Sequence, residues 1–157
     1  MWPLMKRLAL TATILLACFA PVFAVDVPEE SEIKSLSDKM LLDWNKAMQK
    51  EDFAAFYKND CAKVWQQQTT AEKLGETFTK QFAGQKIDFS SAIKEMEPTF
   101  EPEPAISKVG DFEVLKVQGY YDTKPNRFSF QLKLVQEDDE WKLVGIDIKA
   151  AKAPADE

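Results

Sequence analysis

The side chains in this chain that could do chemistry are few. The 157 residues include no histidine and two cysteines, Cys18 and Cys61. Lack of histidine excludes Ser-His-Asp and Cys-His nucleophilic catalysis, c-type haem attachment and zinc ligation by the usual nitrogen and sulfur sets. The five glycines stand at 75, 84, 110, 119 and 145, too scattered for a phosphate-cradling loop. Carboxylate chemistry remains. Asp43 precedes Trp44, and Asp60 follows a short helical segment. Burial near aromatic rings would raise either pKa into the range of a general base. The competing reading makes Asp43 a solvated helix residue and Asp60 a turn residue. Tyr57, Trp65, Tyr120 and Tyr121 would line an apolar cavity with polar handles, or serve as ordinary core aromatics. Neighbours in a strand face opposite ways, so one of Tyr120 and Tyr121 looks outward. Cys61 reads as a small core hydrophobe.

These groups need elements to position them, and the stretch 127–148 organises the rest. Phe128, Phe130, Leu132 and Leu134 alternate with Arg127, Ser129, Gln131 and Lys133, the period of a strand with one dry face. After the acidic turn 137–140, Trp141 and Leu143 resume the alternation, but Ile146 and Ile148 are one place out of phase. A β-bulge at Val144-Gly145 repairs the phase, with Gly145 expected to supply the unusual backbone angles. Asp147 then faces away from the two isoleucines. Trp141 is the expected structural anchor of this hairpin.

Upstream, Ile33, Leu36, Met40, Trp44, Ala47 and Met48 have helical spacing and predict a long amphipathic helix over 32–50. Asp52 is placed to cap a second, shorter helix carrying Phe53, Phe56 and Tyr57. Residues 59–68 allow strand or helix, with a short strand or irregular segment preferred. Thr69 and Glu72 then form a capping box, and Ala71, Leu74, Phe78 and Phe82 share one face of the helix that Gly84 stops. One or two further turns are expected over 90–96. Pro98, Pro102 and Pro104 alternate with glutamates, which fits an edge or an extended connection. Gly110-Asp111 is a turn, 112–121 a strand with Leu115, Val117 and Tyr121 on one face, and 122–126 a hairpin connection. Residues 150–157 read as a flexible tail.

Residues 1–24 have the basic start (Lys6, Arg7), apolar stretch and Val22-Phe23-Ala24 cleavage site of a secretory signal peptide. This predicts a periplasmic or secreted protein cleaved near Ala24, with 25–31 as a polar lead. The alternative is lipidation at Cys18 in Leu15-Leu16-Ala17-Cys18, which the apolar sequence continuing to Val25 fits less well. Losing Lys6 and Arg7 takes the formal charge of −6 two units further, to −8. Basic residues form no cluster, which argues against a nucleic-acid partner. No stretch of the mature chain is apolar enough to span a membrane.

Helix, short helix, capped helix and then antiparallel strands ending in a bent hairpin is an α+β order. On Asp52-Phe53-Ala54-Ala55-Phe56-Tyr57, Gly119-Tyr120-Tyr121 and Trp141-Lys142-Leu143-Val144-Gly145-Ile146, the region 32–149 resembles the NTF2-like superfamily. The likeness lies nearest to its secreted bacterial members of unknown function. It implies a cone of helices packed on a bent antiparallel sheet, with a cavity whose lining candidates here are Trp44, Tyr57, Trp65, Phe78, Phe130 and Leu132. It also implies a homodimer through the outer sheet face, where Val135, Val144 and Tyr120 would be apolar points. Enzymes of the superfamily use a carboxylate with a tyrosine, or a histidine with an aspartate; the second is excluded here. The reading is therefore a non-enzymatic domain, without cofactor, that binds a small apolar ligand or an envelope protein. The alternatives are a small isomerase, dehydratase or hydrolase using Asp43 or Asp60 with a tyrosine, and a lipid-anchored envelope component.

Overall fold

A computed structural model describes residues 24–155. The leader up to Phe23, with Cys18, lies outside the described residues. The chain forms helices α1 (Glu30–Lys50), α2 (Ala54–Asn59), α3 (Lys63–Gln66), α4 (Ala71–Gln81) and α5 (Ser90–Glu95), followed by strands β1 (Thr99–Phe100), β2 (Ala105–Val109), β3 (Phe112–Tyr121), β4 (Asn126–Glu137) and β5 (Glu140–Lys152). This is the expected α+β class: a long helix, shorter helices and an open, wholly antiparallel sheet in the order β1-β3-β4-β5, with β2 on the same edge of β3 as β1. The edge formed by β1 and β2 is interrupted at 101–104, where Pro102 and Pro104 have no N–H to give to a ladder.

The β4–β5 hairpin forms as its alternation requires. Phe128, Phe130, Leu132 and Leu134 are all buried. Asp138 and Asp139 both adopt left-handed backbone angles, φ 50° and 63°, as a two-residue hairpin turn compatible with strand twist needs. The register slips between Lys133, opposite Gly145, and Leu134, opposite Leu143, so Val144 is the extra residue of a bulge. Gly145 does not supply left-handed angles there. It sits in register, and Lys133 lies over the place where its side chain would be, Cδ 3.5 Å from the Cβ position. β5 continues to Lys152 opposite Asn126, so the tail expected from residue 150 begins later. Trp141 is only half-buried. The fully enclosed tryptophan is Trp44, at 1% exposure.

α1 starts two residues earlier than its spacing predicts and buries Ile33, Met40, Leu41, Trp44, Ala47 and Met48. Glu51 ends it in a left-handed conformation, φ 55°. The N-cap of α2 is Phe53 and not the expected Asp52, whose carboxylate accepts from the Ala54 N–H at 2.9 Å from one residue further back. Residues 60–62 run beside β5, with the Leu143 N–H on the Asp60 carbonyl and the Ala62 N–H on the Leu143 carbonyl, both 2.7 Å. α3 follows where a strand or irregular segment was expected, because only this one bridge is available before the chain turns away. At α4 the cap is Thr70, whose hydroxyl accepts from the Lys73 N–H, and not Thr69. Two threonines in a row leave the sequence pattern one residue ambiguous. Ala83 and Gly84 both take left-handed angles beyond the helix end.

Two glycines make opposite demands on space. A Cβ on Gly119 would lie 2.6 Å from the Thr99 carbonyl oxygen and 2.9 Å from Phe130 Cζ. Gly75, inside α4, would meet only the Phe53 ring at 3.4 Å, an ordinary contact. Gly119→Ala is therefore expected to destabilise the protein by about 1–3 kcal/mol. Gly75→Ala should stabilise it by up to about 1 kcal/mol through helix propensity. Urea midpoints for the two variants check both signs; a neutral Gly119→Ala would contradict the close approach of β1 to β3.

Candidate functional site

The space between helices and sheet, where a ligand cavity is expected, is occupied by aromatic rings. Trp44 from α1 packs edge-on against Phe78 of α4 at 5.5 Å and parallel to Phe128 of β4 at 6.5 Å. Phe89, leading into α5, stacks on Phe128 at 4.0 Å, and Tyr121 of β3 stacks on Phe128 at 5.6 Å. Phe53 stacks on Phe78 and meets Phe56, which extends the array beneath α2. Polar side chains on α1 hold this arrangement. Asn45 accepts from the Phe89 N–H and donates to Asp88, both at 2.9 Å, and Gln49 donates to the Ile87 carbonyl at 3.0 Å. Asp88 also accepts from the Ser90 N–H, and these bonds hold its carboxyl below the usual range. Among the described buried groups, the Ser37 hydroxyl and the Trp44 indole N–H have no hydrogen-bond partner.

The pocket-lining candidates separate accordingly. Trp44, Phe78, Phe130 and Leu132 are buried together as core. Tyr57 and Trp65 are half-buried at the margin of that core. The Tyr57 hydroxyl donates to the Gln66 carbonyl at 2.8 Å, while Gln66 donates back to the Tyr57 and Cys61 carbonyls. This ties α2 to α3 and leaves no free hydroxyl handle. Cys61 is buried, and burial pushes its thiol up to about 12, so it is un-ionised at neutral pH.

The two candidate acids are brought together by one cation. Lys39 of α1 bonds both Asp43, one turn along, and Asp60, beyond α2. Asp43 is half-exposed; Asp60 ends α2 as a turn residue, and it is only 2% exposed. Burial raises the Asp60 carboxyl above its ordinary value and outweighs the opposing effect of Lys39. The pair opens onto a polar cleft of about 220 Å³ that includes Lys46, Lys50 and Asp52. Neither acid bonds to a tyrosine. The tyrosine–carboxylate contact present is one the spacing of the sequence did not reveal: the buried Tyr121 hydroxyl donates to Asp38 at 2.7 Å, and Asp38 is ion-paired to Lys34 at the same distance. Burial, chiefly, pushes the Tyr121 phenol well up, so it acts only as a donor. Asp38 falls on the inner side of α1 one residue from Ser37, a signal visible only once the helix and β3 are placed together.

The clefts open at the surface. One, of about 420 Å³, lies where α1 meets α2 and α4, floored by Met48, Phe53 and Gly75 with Glu51, Glu72 and Glu76 around it. Another, of about 550 Å³, lies between the lead into α1 and the β1 edge, lined by Val27, Pro28, Ile33, Pro98, Phe100 and Pro104. Neither is lined by Trp44, Phe78 or Leu132. No group of three or more His, Cys, Asp or Glu among the described residues could hold a metal ion. No helix among them is long and apolar enough to cross a membrane.

The raised folded-state pKa of Asp60 sets a pH dependence. Its contribution to stability is complete below the ordinary carboxylate pKa of about 3.9 and is lost as pH rises through the folded value. Relative to the parent, Asp60→Asn should therefore gain in urea midpoint as pH rises from about 4 through the folded value, on top of any constant offset from the lost Lys39 contact. Parallel pH profiles would contradict this. No family model and no curated protein matches the chain.

Proposed function

We propose that the chain is an exported, non-enzymatic NTF2-like domain that binds a small apolar ligand in the cleft between its N-terminal lead and the β1 edge. The observation that carries this reading is that cleft. Its volume of about 550 Å³ falls in the range of small-molecule sites, and Val27, Pro28, Ile33, Pro98, Phe100 and Pro104 give it an apolar side beside the polar Glu30, Thr99 and Glu103. The element order, the bulged β4–β5 hairpin and the long helix across the sheet support the cone assignment. An envelope protein presenting an apolar segment is the other occupant this lining accommodates.

The position of the lead supports cleavage after Ala24. The Val25 N–H donates to Glu113 Oε2 of β3 at 3.1 Å. Processing there would turn that amide into an α-ammonium against the same carboxylate, a stronger charge-assisted contact. It would fix the lead that forms one wall of the cleft. The carboxylate/tyrosine enzyme has less support, because Asp43 and Asp60 meet Lys39 and the Asp38–Tyr121 pair is closed by Lys34.

Native mass spectrometry of the full chain exported by a bacterial host tests the reading. The expected spectrum shows a co-purifying small molecule, greatly depleted in Val27→Glu, a substitution at a residue already 45% exposed and so compatible with folding. The denatured mass should begin at Val25. An empty parent species would overturn the ligand reading, and a lipidated mass beginning at Cys18 would overturn the cleavage site.

A further inference from the structure

A second cleft lies on the other side of the N-terminal lead. Its volume is about 490 Å³, and it is bounded by the lead 24–28, the start of α1 and the turn end of the β4–β5 hairpin. Val27 and Pro28 wall both this cleft and the one at the β1 edge, but the rest of the two linings differs. Here one aromatic ring, Trp141, stands with its cross-strand partner Gln136 and with the carboxylates of Asp26, Glu29 and Glu32.

The polar groups around the aromatic core are taken up by internal partners, whereas those of this cleft are not. Among the described residues, Asp26, Glu29, Glu32 and Gln136 make no side-chain hydrogen bond or ion pair. Glu29, although it is the N-cap of α1, makes no capping bond with its side chain. Trp141 has no aromatic partner, and its indole N–H gives no hydrogen bond. It packs partly against the core and lines the cleft with the remainder. No lysine or arginine belongs to the lining. The dipole of α1 favours acids at its start and offsets about half a unit of charge, which leaves the field of three carboxylates strongly negative. Asp26 lies outside the helix and owes nothing to it. Cleavage after Ala24 would add the α-ammonium of Val25, but Glu113 already meets that nitrogen at 3.1 Å and would balance it one for one.

We infer that this cleft binds a small organic cation of the quaternary ammonium type, with its alkyl groups against the Trp141 ring and its charge among Asp26, Glu29 and Glu32. The face of an aromatic ring attracts a cation, and tryptophan does so best. A primary amine suits the lining less well, because its strongly held water and directed N–H groups favour exposed carboxylates over the ring. Val27 and Pro28 supply apolar surface for the methyl groups. A phospholipid headgroup carrying the same cation would bring its phosphate in among three carboxylates, so the free cation is the occupant. Occupancy here is independent of an apolar ligand on the opposite side of the lead.

Choline is the probe, titrated into the exported full chain at about 20 mM salt and followed at the backbone amide resonances of Val27 and Gln136. Saturation is expected, with a Kd of about 1 mM for a ligand of this size. Trp141→Leu should weaken binding at least about fivefold. Glu32→Gln, at an exposed position compatible with folding, should weaken it at least about threefold, and it decides the matter if Trp141→Leu does not fold. Glu95→Gln, on exposed α5 surface, should bind as the parent does. Val27→Glu adds a carboxylate to the wall shared by the two clefts, so it should hold choline at least as tightly while losing the apolar molecule. The proposal is overturned by the absence of saturable shifts in the parent, by parental affinity in Trp141→Leu or Glu32→Gln, or by equal weakening in Glu95→Gln. Equal affinity for 3,3-dimethylbutan-1-ol, the uncharged isostere of choline, would overturn it as well. So would tighter binding to phosphatidylcholine vesicles than to choline.

Discussion

The contact on which most of this structure depends is Trp44 of α1 against Phe128 of β4. Helix and sheet are amphipathic elements that must cover one another, and the largest apolar surface on the helix meets the most enclosed part of the hairpin there. Phe89 reaches the same Phe128 ring from α5, Phe78 reaches Trp44 from α4, and Tyr121 arrives from β3. Aromatic pairs add about 0.5–1.5 kcal/mol each beyond the area they bury. An array that shares rings loses several such contacts when one member goes. The Trp44 indole N–H is left without a partner, a cost of about 1–3 kcal/mol for a buried donor. The ring's burial more than offsets it, which is why so large a residue is tolerated with its polar atom unsatisfied.

The same packing governs what is left for function. Rings expected to line a ligand cavity instead pack as core, and the polar groups around them are consumed in holding elements together: Asn45 for the approach to α5, Tyr57 for α2 to α3, Lys39 for α1 to the turn after α2. The carboxylates with catalytic potential are those with a lysine already beside them. The described clefts accordingly open at the surface, one of them where the prolines of 98–104 interrupt the edge strand.

What could be read in the sequence follows the period of the pattern. The inward residues of β3 and β4, the acidic turn within 137–140 and a bulge at Val144-Gly145 were all legible because strand alternation is strict and a slip of one residue shows. The long helix was legible for the same reason at its own period. What failed involved local competition or distant partners. Thr69 and Thr70 are equivalent to a capping rule, and only the path of the chain chose between them. Residues 59–68 have no period, because their conformation is set by the Leu143 backbone more than eighty positions away. Trp141 and Trp44 look equally buried in sequence; the hairpin end leaves the first half-open, while the helix centre encloses the second. The Asp38–Tyr121 bond and the meeting of Asp26 and Glu32 with Trp141 needed tertiary placement, which no single window of sequence contains.

The claim that the interior is filled can be examined directly by recording methyl resonances of the folded protein under xenon pressure. Xenon enters apolar voids that exist and finds none where side chains are close-packed. The account predicts only weak, linear shifts at the methyl groups of Leu41, Leu132 and Ile148, which surround the aromatic array. Saturable shifts at those three residues would show a cavity between helix and sheet, and would return the ligand site to the centre of the fold.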